Sequence, residues 1–137
     1  MIVSSGSVLR MPLVLGALLV LLAVMAGAFG AHALRGMVTE RSLEIFQTGV
    51  QYQMIHGLGL ILIAILGALD VSRRLLMLAA GFLVAGVVMF SGSLYVLALT
   101  ELHWIGPVTP VGGLCFMVGW VSVVIAGLQQ GNDQESL

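Results

Sequence analysis

The chain has 137 residues, of which 60% are hydrophobic and 8% are charged, and its formal net charge at pH 7 is -1. A soluble domain carries about 25% charged residues, so this chain has too little polar surface to cover a core in water. Its charge also argues against nucleic acid as a partner, because that binding depends on clustered cations. The composition therefore predicts an integral membrane protein surrounded by the lipid bilayer.

Four apolar stretches follow one another along the chain and fill most of it. A helix that crosses the bilayer core needs about 20 mostly apolar residues, and each stretch is close to that length. The predicted helices cover about residues 12–31, 40–69, 75–99 and 108–128. The predicted fold class is therefore all-α: a four-transmembrane-helix bundle that forms a single integral membrane domain over residues 1–137.

The first stretch has one competing interpretation. Arg10, an apolar run and Ala31-His32-Ala33 are together similar to a secretory signal peptide with its cleavage site. The run is longer than the 7–15 residues typical of such a signal, and Pro12 suits the first turn of a helix. We therefore interpret it as a membrane helix, with cleavage as the alternative.

The second helix is predicted to extend beyond the membrane. Thr39 suits the N-cap position and Glu40 the first turn, and the helical pattern then continues to Leu69. Thirty residues span about 45 Å, which exceeds a hydrocarbon core of about 30 Å. Its first turns should therefore project from the membrane or lie in the interface.

Two polar faces mark this second helix. One is a stripe, which we expect to be wet and which consists of Glu40, Glu44, Gln47 and Gln51. The other begins at Tyr52 and continues with Gln53 and His56, on the opposite side at 100° per residue. We expect Gln53 and His56 to point into the bundle.

Later segments show clear helix starts. Residues 70–74 form a predicted tight turn, and Pro107 with Thr109-Pro110 suits the start of the fourth helix. Residues 129–137 are predicted to be a polar tail, and Trp120 is expected to pack mid-helix. Three arginines lie on the same side of the membrane as the termini: Arg10, Arg73 and Arg74. Two lie on the other side, Arg35 and Arg41, so the positive-inside rule favours cytoplasmic termini.

Small residues four apart are candidates for close helix contacts, because the bilayer offers little hydrophobic drive between helices. The main pairs are Gly27 with Ala31 and Gly81 with Ala85. One interpretation is packing inside the bundle, and the other is a homo-oligomer interface. The spacing does not separate the two.

The predicted topology gathers most polar residues at one end of the bundle. This candidate polar cluster consists of His32, Tyr52, Gln53, His56, Ser91, Ser93, Tyr95 and Thr109. His56 is singled out because an ionisable group inside a span suggests function by default. Three interpretations remain open: a neutral imidazole that fastens helices, a proton-handling group, and a metal ligand with His32 and His103 or Glu44.

Chemical motifs are few. The chain contains no H-x-x-x-H or E-x-x-H pair, so local spacing does not support a metal site. Ser91, Ser93 and Cys115 have no evident base and orienting partner for nucleophilic catalysis. We therefore predict no catalytic residues, no metal and no cofactor.

Three segments together closely resemble domain-of-unknown-function family 423, which includes YgdD-like and transmembrane protein 256-like membrane proteins. The segments are GAFGAH at 27–32, YQMIH at 52–56, and SGSLY at 91–95 with GPVTPVGG at 106–113 and GW at 119–120. The resemblance implies a four-helix protein of the bacterial plasma (inner) membrane, and it implies no reaction or cofactor. Gly57 and Gly59 depart from the alanine-like residues expected there, and we expect them to loosen the second helix.

Three functions follow as hypotheses. The leading one is a non-enzymatic structural or accessory membrane component, associated with itself or with a partner membrane protein. The second is an oligomeric channel or carrier for a small solute, an ion or protons, and the glycines at 57 and 59 are its only hint of a broken helix. The third is a metal- or quinone-binding membrane subunit.

Overall fold

The computed structural model describes residues 7–100 and 102–136, with the backbone alone at residue 134. Four long helices account for most of these residues: α1 Arg10–Leu34, α2 Glu40–Leu66, α3 Arg73–Thr100 and α4 Val108–Glu135. A short 3-10 turn, His103–Ile105, precedes α4, and the described residues form no β-strand. Each helical segment is long and apolar enough to cross a membrane, which confirms the predicted all-α, four-transmembrane-helix fold.

The ends of the helices differ from the predicted ends in three places. The last turn of α1 continues as a π-helix over Gly30–Leu34. The second helix ends at Leu66 and not at Leu69, because the chain turns immediately after Gly67. The fourth helix continues to Glu135, so the predicted polar tail is helical through most of its length.

Local capping explains where two of the helices begin. The Thr39 side chain accepts a hydrogen bond from the Ser42 N–H at 3.1 Å, as predicted for an N-cap. Ser72 is the N-cap of α3, and its hydroxyl oxygen accepts a hydrogen bond from the Leu75 N–H at 3.5 Å. Pro107 directly precedes α4, which agrees with the predicted helix start.

The helices pack in chain order, with α1 on α2, α2 on α3 and α3 on α4. A core of leucine, isoleucine, alanine and phenylalanine side chains lies between α2, α3 and α4. A smaller cluster of Leu34, Phe46 and Ala98 closes the end at which α1 meets α2. The candidate site lies between these two apolar clusters.

The glycines of α2 allow close packing and do not break the helix. Backbone hydrogen bonding continues through Gly57 and Gly59, and both residues are buried. A methyl group on Gly16 would lie 2.6 Å from the Gly57 carbonyl oxygen, so α1 and α2 cross there almost backbone to backbone. The expectation that these glycines loosen α2 was therefore wrong.

A π-helical turn, Val87–Ser91, interrupts α3. Sequence patterns predicted an ordinary helix here. The α4 backbone approaches this turn so closely that a methyl group on Gly112 would collide with the backbone nitrogen of Phe90. The turn reorients Phe90 and Ser91, and both side chains take part in the site described below.

The predicted packing pairs have different outcomes. Gly27 faces α2, where an added methyl group would lie 3.5 Å from a Val50 methyl. Its partner Ala31 is exposed. A methyl group on Gly81 would meet no atom within 4 Å, and Ala85 is half-buried. Packing inside the bundle is therefore the wrong interpretation for Gly81, which faces outward.

Candidate functional site: a buried polar cluster

Gln53 is the residue that joins three helices. Its side chain is only 6% exposed, and its amide N–H donates to the Leu19 carbonyl of α1 at 2.9 Å. Its amide oxygen accepts a hydrogen bond from the Tyr95 hydroxyl of α3 at 2.7 Å. One α2 side chain therefore links α1 to α3 through the middle of the bundle.

His56 lies one turn further along α2 and is 4% exposed. Its Nδ1 is 2.7 Å from the Tyr52 carbonyl oxygen, and its Nε2 is 3.1 Å from the indole nitrogen of Trp120 on α4. An indole N–H only donates, and a carbonyl oxygen only accepts. The two partners therefore select a neutral imidazole that carries its proton on Nδ1 and accepts a hydrogen bond at Nε2.

Aromatic rings surround this imidazole. The Phe116 ring stacks on it with centroids 3.6 Å apart and planes 6° apart. Tyr52 packs on Phe90 with centroids at 4.5 Å, and Phe90 packs on Phe116 at 5.5 Å. The stack fixes the plane of the His56 ring, while its two hydrogen bonds fix the rotation within that plane.

The hydroxyl groups of α3 complete the cluster. The Ser91 hydroxyl donates to the Gly49 carbonyl of α2 at 2.7 Å. The Ser93 hydroxyl lies 2.8 Å from the Phe90 carbonyl and 2.5 Å from the Thr109 hydroxyl. A serine has only one hydroxyl proton, so Ser93 donates to the carbonyl and accepts from Thr109.

The structure brings together seven of the eight residues in the predicted cluster, all except His32. His32 is exposed on the π-helical end of α1, and His103 is exposed in the turn before α4. Within the described residues no three His, Cys, Asp or Glu side chains lie close enough to hold a metal ion. The proposed metal set of His32, His56 and His103 or Glu44 is therefore not assembled.

Sequence reasoning missed the role of Trp120. It predicted only packing for this residue, whereas the indole also forms the second hydrogen bond of His56. The available signal was the indole N–H itself, because a buried tryptophan usually finds an acceptor. A mid-span histidine is one of the few side chains in this sequence that can supply one.

The buried polar atoms of the cluster all have hydrogen-bond partners. Every buried side-chain nitrogen and oxygen in the described part of the chain has a hydrogen-bond partner. A general base needs a lone pair that reaches its substrate, and the Nε2 lone pair of His56 is occupied by Trp120. What the geometry does directly is fasten helices to one another.

The predicted wet stripe of α2 lies outside the bundle. All four of its residues are exposed, and Gln47 and Gln51 line a shallow groove of about 320 Å³ beside Gly27 and Gly30 of α1. Neither amide makes a side-chain hydrogen bond within the described chain. Gln47 also lines a second groove with Arg35, whereas Gln51, one turn further along α2, does not.

These features define a class: an integral membrane protein of four helices whose internal polar residues bond to one another across the bundle. A family profile described as "Protein of unknown function (DUF423)" matches residues 26–113. The chain belongs to this family, as the resemblance predicted.

Similar proteins include UPF0382 membrane protein YwdK of Bacillus subtilis, 45% identical over 118 residues that cover 85% of this chain and 95% of the relative. A UPF0382 membrane protein of Staphylococcus haemolyticus is 42% identical over 119 residues, with coverage of 86% and 95%. One from Staphylococcus aureus is 40% identical with the same coverage. No solved structure matches the chain significantly.

Proposed function

We propose that this chain is a non-enzymatic structural or accessory component of the bacterial plasma membrane, and that it associates with another membrane helix through α2. The observation that carries this proposal is the contrast between its two sets of polar groups. Those inside the bundle bond to one another, whereas two amides outside it have no side-chain partner in the described chain.

The interior supports a structural role. Gln53 uses both ends of its amide, and His56 uses both ring nitrogens, for bonds that tie helices together or hold the ring in place. Hydrogen bonds between membrane helices are worth about 0.6 kcal/mol on average and up to about 1.7 kcal/mol. A few such bonds suffice to fix the orientation of each of the four helices about its own axis.

The exterior supports a partner. Gln51 lies on the exposed face of α2 beside Gly27 and Gly30 of α1, one helical turn further from the charged end of α2 than Gln47, which also shares a groove with Arg35. Hydrocarbon offers no hydrogen bonds to an amide, so an amide on a membrane helix favours contact with a second polar helix. The partner helix belongs to a second copy of the chain or to a different membrane protein.

The bacterial membrane relatives support the location, and the arginines support the orientation. Arg10, Arg73 and Arg74 lie at the ends of α1 and α3 that share a side with the termini. With three arginines on this side against two on the other, the positive-inside rule favours cytoplasmic termini.

The test is site-specific photo-cross-linking in native membranes. A photoreactive residue at Gln51 should give a discrete adduct whose mass identifies the partner, and one at Val124, an exposed apolar position on α4, should not. Liposomes that contain the protein should pass protons no faster than empty ones. Absence of an adduct at Gln51, or a proton flux that His56→Asn abolishes, would contradict the proposal.

A further inference from the structure

We infer that the chain carries a binding site for an anionic phospholipid in a groove between α1 and α3. The site lies at the end of the bundle away from the candidate cluster, and it does not depend on the proposed function. Its walls are apolar, and arginines stand along its rim.

The groove consists of two shallow depressions that meet at Met77 and Gly81. One, of about 220 Å³, lies between the start of α1 and α3, with buried Leu60 of α2 among its lining residues. The other, of about 350 Å³, lies on the outward face of α3 beside Phe82 and Ala85. The space beside Gly81 is open, because a methyl group there would meet no atom of the chain within 4 Å.

Three arginines flank this groove at its end nearest the termini. Arg10 directly precedes Met11, one of the lining residues, and Arg73 lies one helical turn before Met77 on the same face of α3. Arg74 stands in the same relation to Leu78.

All three rim arginines are exposed, and none has a carboxylate within 4.0 Å in the described part of the chain. Among the described residues, the carboxylates on this side of the bundle are Asp70 in the preceding turn and Asp133 and Glu135 at the end of α4, and all three are exposed.

The arrangement of charge and apolar surface matches a phospholipid. A guanidinium group binds phosphate oxygens through paired hydrogen bonds, and basic pockets between membrane helices bind anionic headgroups. The acyl chain would then lie along the stripe from Met77 through Gly81 to Ala85. The headgroup would lie at the level of Arg73 and Arg74, one turn above.

A second copy of the chain fits this groove less well. A two-fold contact places the same patch on both sides of the interface, and here it would bring the rim arginines of two chains towards one another. Like charges placed face to face disfavour association. Charge complementarity therefore selects an anionic lipid over a symmetrical dimer.

Native mass spectrometry of the whole protein tests the site. The protein is offered equal amounts of palmitoyl-oleoyl phosphatidylglycerol and phosphatidylcholine, which share acyl chains and differ in net charge. We expect phosphatidylglycerol to be retained about 30-fold more tightly, from roughly 1 kcal/mol for each of Arg73 and Arg74 at the level of the headgroup, at about 1.4 kcal/mol for each tenfold change. Arg73→Gln with Arg74→Gln should remove this preference.

Gly81→Leu should fill the groove and reduce retention of both lipids. Gly127→Leu is the matched control, because Gly127 is also an exposed helical glycine with no atom within 4 Å of an added methyl group. Circular dichroism and elution volume verify that both variants fold.

Three outcomes would overturn the inference. The first is equal retention of the two lipids by the wild-type chain. The second is equal loss of binding in Gly81→Leu and Gly127→Leu. The third is a lipid-independent dimer that only Gly81→Leu dissociates, which would assign the groove to a second copy.

Discussion

The hydrogen bond between Tyr95 and Gln53 provides the sharpest test of how the helices are held together. Tyr95→Phe removes one hydroxyl group and leaves the ring against Phe46, where the ring centroids are 5.0 Å apart. It also leaves the amide oxygen of Gln53 buried without its 2.7 Å donor. We expect the variant to lose about 1–2 kcal/mol of unfolding free energy, since both the bond and the stranded acceptor contribute.

A double-mutant cycle separates the bond from the other effects of the substitution. In a Gln53→Leu background the acceptor is already absent, so Tyr95→Phe should cost about 1 kcal/mol less than in the wild-type chain. Unfolding free energies are measured by SDS titration in mixed micelles, with helicity as the signal. Ser122→Ala is the control, because the Ser122 hydroxyl bonds only to Val118 of its own helix. A coupling energy near zero would mean that the bond between Tyr95 and Gln53 does not stabilise the fold.

Two further predictions concern glycines at helix contacts. Gly112→Ala should lower the unfolding free energy by about 1–3 kcal/mol, because its methyl group would collide with the Phe90 backbone. The neighbouring Gly113→Ala should be neutral or should raise it by up to about 1 kcal/mol. Equal effects of the two substitutions in SDS titration would contradict this prediction. Gly59→Ala should lower the unfolding free energy by about 1–2 kcal/mol, because its methyl group would lie 3.0 Å from the Trp120 ring. That cost should shrink in a Trp120→Phe background, and an unchanged cost would argue against the contact.

The features that the sequence predicted correctly depend on nearby residues. The four spans follow from runs of apolar residues, and the start of α2 follows from Thr39 and its first turn. The inward direction of Gln53 and His56 follows from their angular separation from the glutamate and glutamine stripe. Each of these inferences needs only the geometry of one helix.

The features that it missed depend on how two helices meet. The bond between Trp120 and His56 joins residues 64 positions apart and requires a particular rotation of α4 relative to α2. The π-helical turn of α3 lies where the α4 backbone reaches Phe90, and a single-helix pattern contains no trace of that contact. Gly57 was misjudged for the same reason, since its effect depends on Gly16 of α1.

Both ring nitrogens of His56 have partners, the Tyr52 carbonyl and the Trp120 indole, and we therefore propose that this residue is structural. Solid-state ¹⁵N NMR of the histidine-labelled protein in lipid at pH 7 tests it most directly, with His56→Asn used to assign the signal. We expect a neutral ring with a protonated Nδ1 and an unprotonated Nε2 that accepts a hydrogen bond, and we expect Trp120→Phe to remove that hydrogen bond. A protonated Nε2, or a His56 signal that Trp120→Phe leaves unchanged, would contradict it.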